Sequence, residues 1–410
     1  MRFGSQFNII AASIVSTSLA APLAAESAAV EFSAGVQSSA PAAPSSTSPT
    51  PLARFVPAAS RREHHIDYAH WDEALGWLVV PMGPSIRQGA PRVDPNTGTR
   101  RIYGHESRLR LEGNRGAFSF LTPEIRMALT EYRQDLERVG TELDIASLPR
   151  NEQLAYWLNL HNVAVIEALA GEYPMLEPSD RTFGSNAAAL DDAKLVTVDG
   201  VALSPRDIRE GIVYPNWRDP KVIYGFWRGV IGGPSIQRLA FTGANVDPLL
   251  ALSAEEFVNS LRGVERWSGT LQLSPIYEEA ERFYFRDSDA LRGHLTQYGR
   301  EDVRELVSET PAIAYKPLES DLADLQRGER EPSYLNTCTH PGGLVGGKAP
   351  ESVDPLFCGT TRTVPNPAIQ RLMAERSEKL DRARRAGIRT GMVIYGGGEY
   401  SADAPVIEVE

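Results

Sequence analysis

The stretch Asn151 to Leu169, NEQLAYWLNLHNVAVIEAL, constrains the fold more than any other part of this chain. On a helical wheel Ala155, Asn159, Asn162, Ile166 and Leu169 form one stripe, and Trp157, His161, Val165 and Ala168 form another. Both stripes are apolar apart from Asn159, His161 and Asn162, so the helix has no face to give to water and must lie inside a core. A buried carboxamide without a partner costs about 1–3 kcal/mol, so each asparagine must bond something specific. Either the asparagines tie down the backbone of neighbouring loops, as most side-chain hydrogen bonds do, or they line the wall of a polar cleft.

At 410 residues with 42% hydrophobic content, the chain can build one large core or two smaller ones. Its formal net charge of −11, with no Lys/Arg block, repels phosphate backbones and anionic membrane surfaces, so nucleic acid is not an expected partner. The first residues set Arg2 before an apolar run from Phe7 to Ala21, then the small residues Ala24 and Ala25 before Glu26. That order is a secretory signal peptide over 1–25, predicting a periplasmic or secreted protein with no stable membrane span after cleavage. Ala, Ser, Pro and Thr dominate the next stretch, predicting a disordered linker over 26–62.

The folded part is expected over 63–310, with a C-terminal extension over 311–410. Within it, RLRLEGNRGAFSF from Arg108 reads as a hairpin about Gly113 and Asn114, and Thr122, Pro123 and Glu124 cap a helix reaching about Val139. LVTVDGVALS predicts a hairpin turning at Asp199 and Gly200. Ser204 and Pro205 cap a short helix through Ile208, KVIYGFW from Lys221 reads as a buried strand, and Ser253 with Glu256 predicts a capping box for a helix through Leu261. Near the C terminus a helix is expected from Asn366 to Ala386, with Glu375, Lys379, Asp381 and Arg385 on a solvated face, followed by a strand in GMVIYGG. Helices and short strands mix without a βαβ rhythm, so the fold class is α+β and helix-rich.

Several motifs admit chemistry. Cys338 and Cys358 share one Gly/Pro-rich loop, and an even, local pair in an oxidising compartment predicts a disulfide. The rival reading makes Cys338 a nucleophile with His340 as base, but no orienting carboxylate lies near in sequence. GGLVGGK, from Gly342 to Lys348, matches a phosphate-loop pattern, yet Ala349 stands where Ser or Thr must hold magnesium and Pro350 obstructs the helix that should come after it. His64, His65, Asp67 and His70 are ligand types for a metal, but no Glu or Cys pair completes a set. Neither a metal nor any other cofactor is expected.

YWLNLHNVAVIEAL resembles the signature helix of the DUF547 family, a domain of unknown function, whose members carry Phe-Trp-Ile-Asn-Leu-Tyr-Asn there. Tyr156, Trp157, Leu158, Asn159, Leu160, His161 and Asn162 match it, with His161 in place of the family Tyr. VDGVALSPRDI, DPKVIYGFWRGVIGGPSI and FTGANVDPLLALSAEEFVNSLRG are similar to the later blocks of that family. The family commonly has Glu where this chain has Arg209, His at Ile223, and cysteines at Arg228 and Gly233. A thiolate, an imidazole and a carboxylate are the parts of a thiol hydrolase or transferase. The resemblance therefore implies the family fold without that chemistry, with an unknown small molecule or envelope protein as partner. The alternative is a hydrolase or transferase with a displaced site built from Asn159, His161, Asn162 and His340.

Overall fold

The computed structural model describes residues 51–59, 63–92, 104–328, 334–338, 361–389 and 406–408. In chain order these begin with β1 (His65–Asp67), α1 (Ala69–Leu78), β2 (Val79–Val80), β3 (Arg115–Gly116), α2 (Pro123–Glu142) and α3 (Arg150–Glu172). The hairpin β4 (Val196–Val198) and β5 (Val201–Leu203) leads to a π-helical stretch, Asp207–Val213, which runs on into α4 (Tyr214–Asn216). Next come α5 (Val246–Val258), β6 (Val264–Trp267), β7 (Thr270–Leu273), α6 (Pro275–Tyr284), α7 (Ser288–Tyr298), α8 (Glu301–Glu309) and β8 (Ile313–Tyr315). The chain closes with β9 (Tyr334–Cys338), β10 (Thr361–Pro365), α9 (Pro367–Arg385) and β11 (Val406–Glu408). The sheets are small, β6–β7–β8 having three strands and the others two, so the class is α+β and helix-rich.

Local chemistry explains most of the starts and turns. Thr122 Oγ1 accepts from Ile125 N, with Pro123 at the first helical position of α2. Asp199 and Gly200 take φ of 46° and 72°, the left-handed pair that joins β4 to β5 with a twist matching the strands. Asn366 Oδ1 accepts from Ala368 N to start α9, and Gly387, at φ 71°, ends it. At the centre lies α3: every residue from Glu152 to Ile166 is buried. Phe55, in the stretch expected to be linker, is buried too, its ring edge-on to Trp157 at 5.1 Å.

The structure corrects several expectations. The segment 108–120 is no hairpin; β3 pairs antiparallel with β2 instead. The cause is Arg115, wholly buried, whose guanidinium donates to the carbonyls of Leu109, Arg110, Glu112 and Asn114 and so winds the preceding chain into a loop. Pro220–Gly225 is a 3-10 helix rather than a strand, because Asp219 caps it at Lys221 N and Pro220 opens it. Ser253 sits inside α5 and donates to Leu249 O; the helix starts earlier, where Thr242 and Asn245 bond each other's backbone N–H groups. The short helix after Ser204 reaches Asn216, with a π-helical segment in its middle.

The last correction concerns two of the four charges expected on the solvated face of α9, Glu375 and Lys379. Glu375 accepts from Arg110 Nε and Nη2 at 2.7 and 2.9 Å, and Lys379 is buried, donating to Leu111 O and Gly83 O. Arg376 donates to Pro81 O, and Leu380 packs on Gly83. The helix thus docks Glu375 and Lys379 onto a buried arginine and loop carbonyls, while Asp381 and Arg385 face water as expected. The strand expected in GMVIYGG, the phosphate-loop match, His340 and Cys358 lie outside the described residues, and of Cys338 only its backbone in β9 is described.

Burial pulls the Lys379 pKa down to about 8, below the ~10.4 of an unfolded lysine. Between those values the unfolded chain holds a proton that the folded chain does not, so this group makes stability rise with pH. Denaturant unfolding from about pH 8 to 9.5, a range inside that window, should therefore give a rising contribution in the parent that Lys379→Met lacks. Parallel pH profiles would refute it.

Candidate functional site

Asn159 and Asn162 spend their carboxamides on backbone. Asn159 Nδ2 donates to Phe241 O at 2.6 Å, and its Oδ1 accepts from Phe241 N at 3.1 Å. Asn162 Nδ2 donates to Gly225 O at 2.9 Å, and its Oδ1 accepts from Trp227 N at 3.0 Å. The end of the 3-10 helix and the loop before α5 are thereby fixed to α3.

His161 lies between Asn162 and a charge cluster. Its Nδ1–H donates to Asn162 Oδ1 at 3.0 Å, which leaves Nε2 to accept from Arg209 Nη1 at 3.3 Å. The ring is fully buried and edge-on to Phe226, with centroids 4.9 Å apart. Burial, and after it the positive charge of Arg209, pushes the His161 pKa well below the ordinary imidazole value. A neutral ring with both nitrogens engaged has no site left to take a proton from a substrate.

Beyond His161 the cluster is ionic. Arg209, fully buried, donates Nη1 and Nη2 to the two oxygens of Asp191, each at 2.7 Å, and Nε to Glu279 at 3.2 Å. Arg228 grips Glu279 through Nη2 at 2.7 and 2.9 Å and reaches Asp191 at 3.5 Å. Burial raises the pKa of both carboxyls, but Arg209 and Arg228 outweigh it and hold both below the usual carboxylate range. The result is a two-arginine, two-carboxylate square whose inner corner touches the histidine.

The structure thus brings together His161, Asn162, Arg209 and Arg228, which the sequence singled out separately. Gly233 lies against the stem of Arg228, where an added Cβ would stand 3.1 Å from Arg228 Cβ, and Ile223 is a buried aliphatic residue. The linker-edge group does not converge. His65 Nδ1 meets Glu152 Oε1 at 2.9 Å, Asp67 Oδ1 accepts from Ala69 N, and His70 is exposed on α1. Among the described residues, no three His, Cys, Asp or Glu side chains gather as a group able to hold a metal.

Sequence reasoning missed Asp191 and Glu279. Neither sits in a motif, since Asp191 comes after a turn in LDDAK and Glu279 belongs to α6. The available signal was indirect: an arginine beside a wholly buried helix must find carboxylates, because an unpaired buried charge is too costly.

Substitutions in α3 test these bonds. Asn159→Ala and Asn162→Ala should each lower unfolding free energy by about 1–3 kcal/mol, Asn162→Ala more, because it also releases His161. Equal melting of parent and both variants would contradict this. For His161, the unfolded ring takes up a proton below about pH 6.5 while the folded ring stays neutral, so its contribution to stability falls as pH drops. His161→Gln should flatten the stability profile between about pH 6.5 and 5 by up to ~1.4 kcal/mol per pH unit. An unchanged slope would show that His161 protonates in the folded state.

No curated protein and no solved structure matches the chain. The family described as "Protein of unknown function, DUF547" matches residues 145–258. That segment contains Asn159, His161, Asn162, Asp191, Arg209 and Arg228, while Glu279 falls beyond it. The match therefore covers the buried helix and both arginines, and supports the DUF547 family for this part of the chain.

Proposed function

We propose that this chain is an exported, DUF547-like binding or envelope-associated module that works without thiol chemistry. One observation carries the reading: Arg209 and Arg228, at positions where the resembled family carries Glu and Cys, are locked to Asp191 and Glu279 beside a neutral His161. Arginine, saturated carboxylates and a histidine with both nitrogens engaged offer no nucleophile and no general base. The square, buried at Arg209 and part-buried at its other corners, supports shape instead, since a guanidinium inside the core is destabilising once its carboxylates are removed. The partner is then a small molecule or an envelope protein.

Export rests on the order of Arg2, the Phe7–Ala21 run and Ala24-Ala25, and the Cys338–Cys358 disulfide rests on that export. Among the described residues no helix is long and apolar enough to cross a membrane. Protein recovered after secretion is expected to begin at Glu26 and, denatured without reductant, to have no free thiol. A panel of ester, amide and acyl-transfer substrates is expected to give no turnover that iodoacetamide abolishes. Turnover lost on alkylation would overturn the reading and point to Cys338 with His340.

A further inference from the structure

The cavity between the base of the β6–β7 hairpin, the first turn of α6 and residues 316–320 has a volume of about 330 Å³. It lies outside the Arg209 square. Arg108, Arg262 and Lys316 line it, facing the carboxylates of Glu265 and Glu319. Arg108 and Lys316 both reach Glu265, Arg108 through two nitrogens and Lys316 at 3.6 Å. Burial is the main cause that lowers the Lys316 pKa, while Glu265 raises it and Arg108 and Arg87 lower it further.

Two buried polar atoms on this wall have no partner. Ser274 is fully buried and stands at the N-cap of α6, yet its hydroxyl caps nothing and bonds nothing. Arg262 is 2% exposed; Nη1 donates to Gly233 O at 2.7 Å and Nη2 to Glu256, while Nε has no acceptor. An unspent N-cap hydroxyl and an unspent guanidinium N–H are both costly to bury. Both can donate to an oxyanion, and the positive end of the α6 dipole favours one at the same spot.

We propose that this cavity binds a small oxyanion, a carboxylate or a phosphate, held by the Ser274 hydroxyl, Arg262 Nε–H and the Lys316 ammonium at the N-terminus of α6. The proposal stands apart from the reading of the Arg209 square, which an empty cavity would leave intact. Size favours a compact ligand over a chain: about 330 Å³ is at the small end for ligand pockets.

Calorimetric titration of the full chain with inorganic phosphate and, separately, with succinate at constant ionic strength tests it. One of the two probes should bind saturably, about one per chain, and its identity assigns phosphate or carboxylate. Ser274→Ala leaves α6 with every cap bond it had, so the variant should fold, and it should bind about tenfold more weakly, the loss expected for one charge-assisted hydrogen bond. Lys316→Gln should weaken binding as well, and melting curves of both variants check that they are folded. The proposal fails if neither probe saturates, or if both variants bind as the parent does.

Discussion

The hydrogen bonds of Asn162 hold the architecture together. One carboxamide, on a helix with no wet face, accepts from Trp227 N and His161 Nδ1 and donates to Gly225 O. It thereby sets the path of the chain between the 3-10 turn and Arg228, and the orientation of the imidazole that meets Arg209. Without it, a carbonyl, an N–H and a ring nitrogen would be stranded in a medium where none finds water. Asn159 repeats the device at Phe241, so the helix acts as a central post to which irregular backbone is pinned.

That pinning separates the frame from the charged side chains around it. The segment matching DUF547 contains the two asparagines, whose bonds go to backbone and are indifferent to the side chains nearby. The positions around them are free to vary in charge, provided that charge is balanced. Here the balance is drawn from two distant elements, Asp191 before β4 and Glu279 on α6. A buried guanidinium with both carboxylates in place is tolerable, whereas the same guanidinium with either removed is not. Such a square is therefore gained or lost as a set.

What could be read from the sequence was local. Thr122 and Asn366 announced their helices, and Asp199-Gly200 its hairpin, because a cap or a left-handed turn is decided by residues close by in the chain. The all-round burial of α3 was equally legible from its lack of a polar face. What escaped was settled in part by neighbours that override the pattern and in part at a distance. Residues 221–225 look like a strand by composition, yet Asp219 and Pro220 wind them into a 3-10 turn. Segment 108–120 alternates like a hairpin, but Arg115 turns its carbonyls inward. The alternating charges of α9 obey the pattern of a wetted face, and only the carbonyls of Gly83 and Leu111, 296 and 268 residues earlier, make Lys379 an interior residue. Asp191 and Glu279 were invisible because their arginines lie 18 to 70 residues away in the chain.

The docking of α9 has a consequence for the order in which the domain can be made. Its helix completes the surroundings of residues 81–112, and β11 supplies the parallel neighbour of β1. Both partners emerge from the ribosome after the central helix and the arginine square have been synthesised. Until then the carbonyls of Pro81, Gly83 and Leu111 and the guanidinium of Arg110 lack their donors and acceptor, and the first strand has no ladder. Residues 65–78 still have partners in the centre, through His65 on Glu152, Asp72 on Ala240 N and Trp71 against Tyr132, so only the contacts to α9 and β11 wait. These contacts, 268 to 296 residues apart in the chain, close the longest-range loops of the α9 docking, and each must offset its own closure entropy.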